Sequence, residues 1–126
     1  GAAARGPVRL DRFPDGTAPR RACVGPRTLA RTLLRLIELG RSGVVLPGVL
    51  NLAAPGTVGM DALLSAAGCR WDWTPAPATA LPVLALDTAR LKALAPIPPE
   101  AGTPEALVTE ARRAGWAPAA ASLSPA

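Results

Sequence analysis

The feature that most constrains this chain is how often proline and glycine interrupt it. Its 126 residues include 15 Pro and 12 Gly, and both residue types end helices and strands. Regular elements are therefore predicted to be short. The length suits one domain with one core. Because only 3% of the residues are aromatic, that core must be built of Leu, Val and Ala.

The clearest helix is predicted at residues 26–39. Pro26 suits the first helical position, where its missing N–H has no intrahelical partner to lose, and Gly40 suits the left-handed residue that ends a helix. The predicted buried face consists of Leu29, Leu33, Leu36 and Ile37, which recur at helical spacing. A second stripe, predicted to be solvated surface, consists of Arg27, Arg31 and Arg35.

Alternation and turn signals predict the other elements. Residues 8–13 alternate apolar and charged side chains, and the following Pro-Asp-Gly turn signal predicts a hairpin with residues 18–24. An apolar run at 48–54 predicts a strand covered on both faces. The later predicted elements are a helix at 60–67 ended by Gly68, an edge strand at 81–86, a helix at 88–94 capped by Asp87, and a helix at 104–114 capped by Thr103. Short strands alternating with about four short helices predict an α/β fold.

Positive charge is concentrated in the first third of the chain. Residues 1–41 carry nine Arg against Asp11, Asp15 and Glu38, whereas the whole chain has a net charge of +5. Such a patch could meet the phosphates of a nucleotide ligand or of nucleic acid. No aromatic residues for base stacking are interleaved with it and no DNA-binding motif is present, so a small basic nucleic-acid-binding module remains only an alternative.

Side chains that usually transfer protons in catalysis are scarce. The chain has no His and no Tyr, and Lys92 is its one Lys. Cys23 and Cys69 form neither a CxxC pair nor a zinc-ligand pattern. The chain alone is therefore predicted to perform no catalysis and to hold no metal.

The location is expected to be cytoplasmic. Cys23 and Cys69 are expected to be unpaired and to serve as small apolar side chains, which is typical of proteins in a reducing compartment. The first residues lack the order of a signal peptide, and no run of about 18 apolar residues could cross a membrane.

A loop at 53–59 is an alternative phosphate-binding candidate. Gly56 and Gly59 lie between an apolar run and a predicted helix, where backbone N–H groups can reach an anion. Neither the full dinucleotide fingerprint nor GxxxxGK[ST] is present.

Four segments in order resemble the extended short-chain dehydrogenases, the NAD-dependent epimerase/dehydratase family. Residues 21–30, RACVGPRTLA, resemble the segment of Arg, strand and helix that follows the substrate loop, with Thr28 where the family usually has Asp. Residues 49–53, VLNLA, resemble its apolar xYNLG strand. Residues 60–68 resemble its following helix, and residues 86–91, LDTARL, its D-x-[ST]-[KR] helix start.

The resemblance implies that residues 8–116 are the C-terminal, substrate-binding portion of such a protein, without a complete Rossmann domain. The family's GxxGxxG turn and TyrxxxLys pair, which are absent here, would lie in a separate dinucleotide-binding half. NAD or NADP would bind to that half and not to this chain alone. Residues 1–7 are predicted to be a flexible start, and residues 117–126 a disordered tail.

The resemblance also implies a small phosphorylated or nucleotide-linked substrate, such as a nucleotide sugar. Its expected contacts are Arg21, Arg20 and Asn51. Arg21 would occupy the family's phosphate-binding position, and a guanidinium binds phosphate oxygens in a planar, bidentate fashion. The family's second substrate arginine would fall near Pro77, so that contact is missing. The alternatives are a solvated arginine beside a turn, an asparagine that satisfies a backbone group, and a structural remnant without activity.

Overall fold

The computed structural model describes residues 7–118, and within this range the chain forms a small mixed α/β fold. The helices are α1 (Pro26–Arg41), α2 (Met60–Ala66), α3 (Ala89–Leu94) and α4 (Pro104–Arg113), with a 3-10 turn at Pro99–Gly102. The strands are β1 (Val8–Arg12), β2 (Arg20–Arg21), β3 (Val58–Gly59), β4 (Trp71–Pro75) and β5 (Val83–Leu84). The predicted flexible start and disordered tail lie outside this range except for Pro7, Ala117 and Pro118.

The strands form two small sheets, and the predicted hairpin is wrong. Its turn does form, because the N–H of Phe13 donates to the carbonyl of Thr17 at 2.9 Å. However, β1 pairs in parallel with β4, while β2 lies between β3, to which it is antiparallel, and β5, to which it is parallel. Pro19 has no N–H to continue a hairpin ladder, whereas β4 sets Trp73 beside Leu10.

The predicted strand at 48–54 is also wrong. This segment has no regular secondary structure and belongs to neither sheet. Its end is fixed by a hydrogen bond from the N–H of Ala54 to the carbonyl of Cys23, at 2.9 Å. Ala53 and Ala54 are buried, but Val49 is 72% exposed. A strand needs neighbours on its hydrogen-bonding edges, and none of the described strands lies beside this run.

The first helix is longer than predicted and presents a different face to the core. Gly40 lies inside α1, and the left-handed glycine after the helix is Gly43, with φ of +97°. The buried side chains of α1 are Thr28, Thr32 and Leu36. The apolar residues predicted to be buried with Leu36 are instead exposed: Leu29 by 36%, Leu33 by 46% and Ile37 by 54%.

Other expectations about the helices are confirmed. Gly68 ends the α2 region with φ of +71°. The Thr103 hydroxyl caps α4 by accepting from the N–H of Ala106 at 3.2 Å. The predicted cap of α3 is confirmed only in part: the Asp87 carboxylate accepts from the N–H of Ala89 at 2.9 Å, but the residue in the cap position is Thr88, whose side chain makes no capping hydrogen bond.

Two apolar clusters form the core, and both are built of aliphatic and small side chains, as predicted. The first contains Leu36, Ala54, Leu91, Ala95 and Ile97. The second contains Ala67, Cys69 and Val108 and lies where α2 meets α4. Full burial of one such leucine, as at Leu91, stabilises the fold by about 1.5–3 kcal/mol. None of the described helices has the length and apolar character needed to cross a membrane.

Candidate functional site

Arg20 and Arg21 are adjacent on β2, so their side chains point to opposite faces of the strand. Arg20 turns towards the segment before β3. Its Nε donates to the hydroxyl of Thr57 at 3.0 Å, and its Nη2 donates to the Thr57 carbonyl at 2.9 Å. Arg20 therefore ties β2 to that segment with much of its donor capacity.

Arg21 is half-buried and only partly engaged. Its Nη1 donates to the carbonyl of Arg20 at 2.8 Å and to that of Leu81 at 3.0 Å. Among the described residues, its Nε and Nη2 have no hydrogen-bond partner. The guanidinium is thus held at one nitrogen, and its other two nitrogens keep their donors.

Asn51 lies in a different place. Its Nδ2 donates to the carbonyl of Asp87 at 3.0 Å, which joins the segment 48–54 to the start of α3. It lines a cavity of about 320 Å³ together with Val49, Asp87 and Arg90, and neither Arg20 nor Arg21 lines that cavity. The structure therefore does not bring the three predicted contacts into one cavity. Asn51 therefore satisfies a backbone carbonyl, which was the alternative to a substrate contact.

A buried carboxylate that the sequence did not single out lies at the start of α1. Glu110, on α4, accepts from the N–H of Thr28 at 2.6 Å, and the Thr28 hydroxyl lies 2.9 Å from each carboxylate oxygen. A Cβ on Gly25 would collide with this carboxylate. The signal in the sequence was a glycine, with no side chain to cap the helix, directly before Pro26.

The outward face of α1 is apolar. Its exposed side chains are Leu29, Leu33, Leu34 and Ile37, with Val45 and Val49 exposed in the segments that follow. The predicted helical periodicity is correct, but the predicted burial of this stripe in the core of the chain is wrong. Within residues 7–118 it remains uncovered, and contiguous exposed apolar residues mark interaction surfaces.

The loop at 53–59 has both a carboxylate and a guanidinium beside it. The Asp61 carboxylate folds back over the start of α2, where its Oδ1 accepts from the N–H of Ala62 at 2.9 Å and lies 2.7 Å from the position of a Cβ on Gly59. The Arg20 guanidinium, which donates to Thr57, comes within 3.5 Å of the same position, so the two charges oppose each other in their effect on an anion. Because the loop also lacks the dinucleotide fingerprint, we assign no dinucleotide binding to it.

Cys23 and Cys69 line one apolar groove between the start of α1, α2 and α4. Both are free thiols. Burial raises the pKa of the Cys23 thiol above its ordinary value, so it stays protonated and is a poor nucleophile.

Within the described residues, no three His, Cys, Asp or Glu side chains are grouped as metal ligands would be.

Comparisons with known proteins identify no relative of this chain. A scan of protein-family models, a search of curated proteins and a search of solved structures each return no match.

Proposed function

We propose that this chain is the substrate-binding portion of an extended short-chain dehydrogenase of the epimerase/dehydratase kind. It binds a small phosphorylated or nucleotide-linked substrate and acts together with a dinucleotide-binding half that carries the catalytic groups. The observation that carries the proposal is the uncovered apolar face of α1.

That face supports the proposal because it has the character of an interdomain surface. Leu33, Leu34 and Ile37 are each about half exposed or more, and burying the exposed half of each would contribute about 1 kcal/mol. A chain that works alone has no reason to leave them in water, whereas a chain that packs against another half does.

The segment 48–54 supports it in a second way. This apolar run resembles the family's xYNLG strand, yet it forms no strand among residues 7–118. In the proposal, this segment would pair as a strand only when the partner half supplies a neighbouring strand for its backbone groups.

Arg21 has the role of substrate-phosphate contact in this proposal. Its unengaged Nε and Nη2 can donate to two oxygens of one phosphate. Arg20, bonded twice to Thr57, is the weaker companion, and Asn51 mainly holds the segment before α3. In this proposal, proton transfer and hydride chemistry belong to the partner half, because this chain has no His, no Tyr and a single Lys and lacks the dinucleotide fingerprint. With both cysteines free, we place the protein in the cytoplasm.

The experiment that tests this proposal is reconstitution. The dinucleotide-binding half, taken from the reading frame upstream of Gly1, is produced separately and mixed with this chain. We expect a one-to-one complex by light scattering and NAD- or NADP-dependent turnover of a nucleotide sugar from a panel. An upstream frame without GxxGxxG and TyrxxxLys, or two halves that do not associate, would refute the proposal.

A further inference from the structure

A cavity of about 330 Å³ lies between the basic stripe of α1 and the proline-rich segment after α3. Arg31 and Arg35 form part of one wall, one helical turn apart. Pro96, Ile97 and Pro98 also line the cavity. The cavity thus combines two cationic side chains with an apolar surface, the combination that ligand sites use for orientation and for burial.

The two guanidiniums have little to neutralise them. Arg31 has no hydrogen bond or ion pair among the described residues. Arg35 pairs with Glu38 at 3.7 Å, but both side chains are more than half exposed, and such pairs contribute little. Like charges at this helical spacing repel each other. An anion between them would replace that repulsion with two charge-assisted interactions.

The nearby carboxylate of Glu110 does not compete for these arginines. It is committed to Thr28, another residue of the cavity lining, and forms no ion pair with Arg31 or Arg35. Its negative charge at the Thr28 end favours an anion that sits towards Arg35.

We propose that this cavity binds a small organic phosphate. The phosphate lies between the guanidiniums of Arg31 and Arg35, and an apolar group rests against Pro96, Ile97 and Pro98. A dianion matches two positive charges, and each guanidinium can donate twice to its oxygens. The site does not include Arg20, Arg21 or Asn51, and it does not depend on the proposed function.

Phenyl phosphate is the probe, titrated into the isotope-labelled chain and followed by nuclear magnetic resonance. We expect saturable shifts of the amides of Arg31, Arg35 and Ile97. Inorganic phosphate, which lacks the apolar group, is expected to bind about tenfold more weakly. Arg31→Gln and Arg35→Gln are each expected to lower the affinity for phenyl phosphate about tenfold.

Arg27→Gln is the matched control, because Arg27 belongs to the same stripe but does not line the cavity. We expect it to change the affinity less than about twofold. An equal loss in Arg27→Gln, unchanged affinity in Arg31→Gln, or no saturation at about 10 mM would overturn the proposal.

Arg21→Gln separates the two proposals of phosphate binding. Shifts at the cavity that persist in this variant support the α1 site whether or not the proposed function holds. Shifts confined to β2 that vanish in Arg21→Gln would refute the α1 site and leave the role of Arg21 intact.

Discussion

Glu110 caps the first turn of α1 from a different helix, through Thr28. The N–H of Thr28 lies 2.6 Å from Oε1 of Glu110, and both residues are buried. The first N–H groups of a helix have no intrahelical partner, and the helix dipole favours a negative charge there. Gly25 has no side chain to fill this role, so α4 supplies the cap and fixes the position of α1 on the fold.

Removing the Glu110 carboxylate should therefore destabilise the chain. Glu110→Ala leaves the buried N–H and hydroxyl of Thr28 without an acceptor and should lower the free energy of unfolding by about 1–3 kcal/mol. Glu110→Gln keeps a carbonyl acceptor and should lose less. Urea unfolding measures both. Glu105→Gln, at an exposed position in the first turn of α4, is the control and should cost only the charge–dipole contribution of about 0.3–1 kcal/mol; equal losses in Glu105→Gln and Glu110→Ala would rule out the cap.

Gly25→Ala should be destabilising for a steric reason. Its Cβ would collide with the Glu110 carboxylate, and crowding of this kind in a packed interior costs about 1–3 kcal/mol. The same substitution in a Glu110→Ala background should cost clearly less, because most of the colliding atoms are gone. A double-mutant cycle by urea unfolding measures the difference, and strictly additive losses would contradict the contact.

Substitution of two leucines of α1 should affect the stability of the chain to very different extents. Leu36 belongs to the first core cluster, so Leu36→Ala should cost about 2–5 kcal/mol of unfolding free energy. Leu33 is 46% exposed, so Leu33→Gln should change it by no more than about 0.5 kcal/mol. In the reconstituted protein, Leu33→Gln should weaken association of the two halves, as measured by light scattering. A large loss of stability from Leu33→Gln in the chain alone would show that this face is not free.

Asp15 should make a small pH-dependent contribution to stability. Hydrogen bonds from the side chain and backbone of Thr17 lower the pKa of Asp15 below its ordinary value of 3.8. The folded state thus favours the ionised form, so this contribution is complete above the unfolded pKa and is lost as the pH falls through the folded pKa. A carbon-detected titration should give a pKa below 3.8. A normal pKa would contradict both hydrogen bonds. A pKa unchanged in Thr17→Val, which keeps the backbone N–H, would contradict the bond from the hydroxyl.

Local signals in the sequence predicted several helix ends correctly, although Gly40 lies inside α1 and not at its end. Pro26, Thr103 and Gly68 marked helix ends because capping and left-handed backbone depend on one or two neighbouring residues. Pairing across the chain was harder. The partner of β1 is β4, some sixty residues later, and alternation within residues 8–13 carries no information about that choice.

The face of α1 shows a second limit. Periodicity located its apolar stripe but could not indicate whether this chain or another covers it. The cap from Glu110 and the cavity beside Arg31 also depend on segments brought together only by folding. The resemblance to a family indicates Arg21 as a candidate contact. Its hydrogen bonds to the carbonyls of Arg20 and Leu81 depend on the pairing of β2 with β5, which the sequence does not reveal.

The most direct measurement of the central claim is the affinity of the reconstituted protein for UDP, by calorimetry, with Arg21 intact and replaced. If Arg21 donates to the substrate phosphate, Arg21→Gln should lower the affinity for UDP at least about tenfold, while Arg27→Gln should change that affinity no more than about twofold. Equal affinity in Arg21→Gln and the unaltered complex would contradict a substrate-binding role for β2.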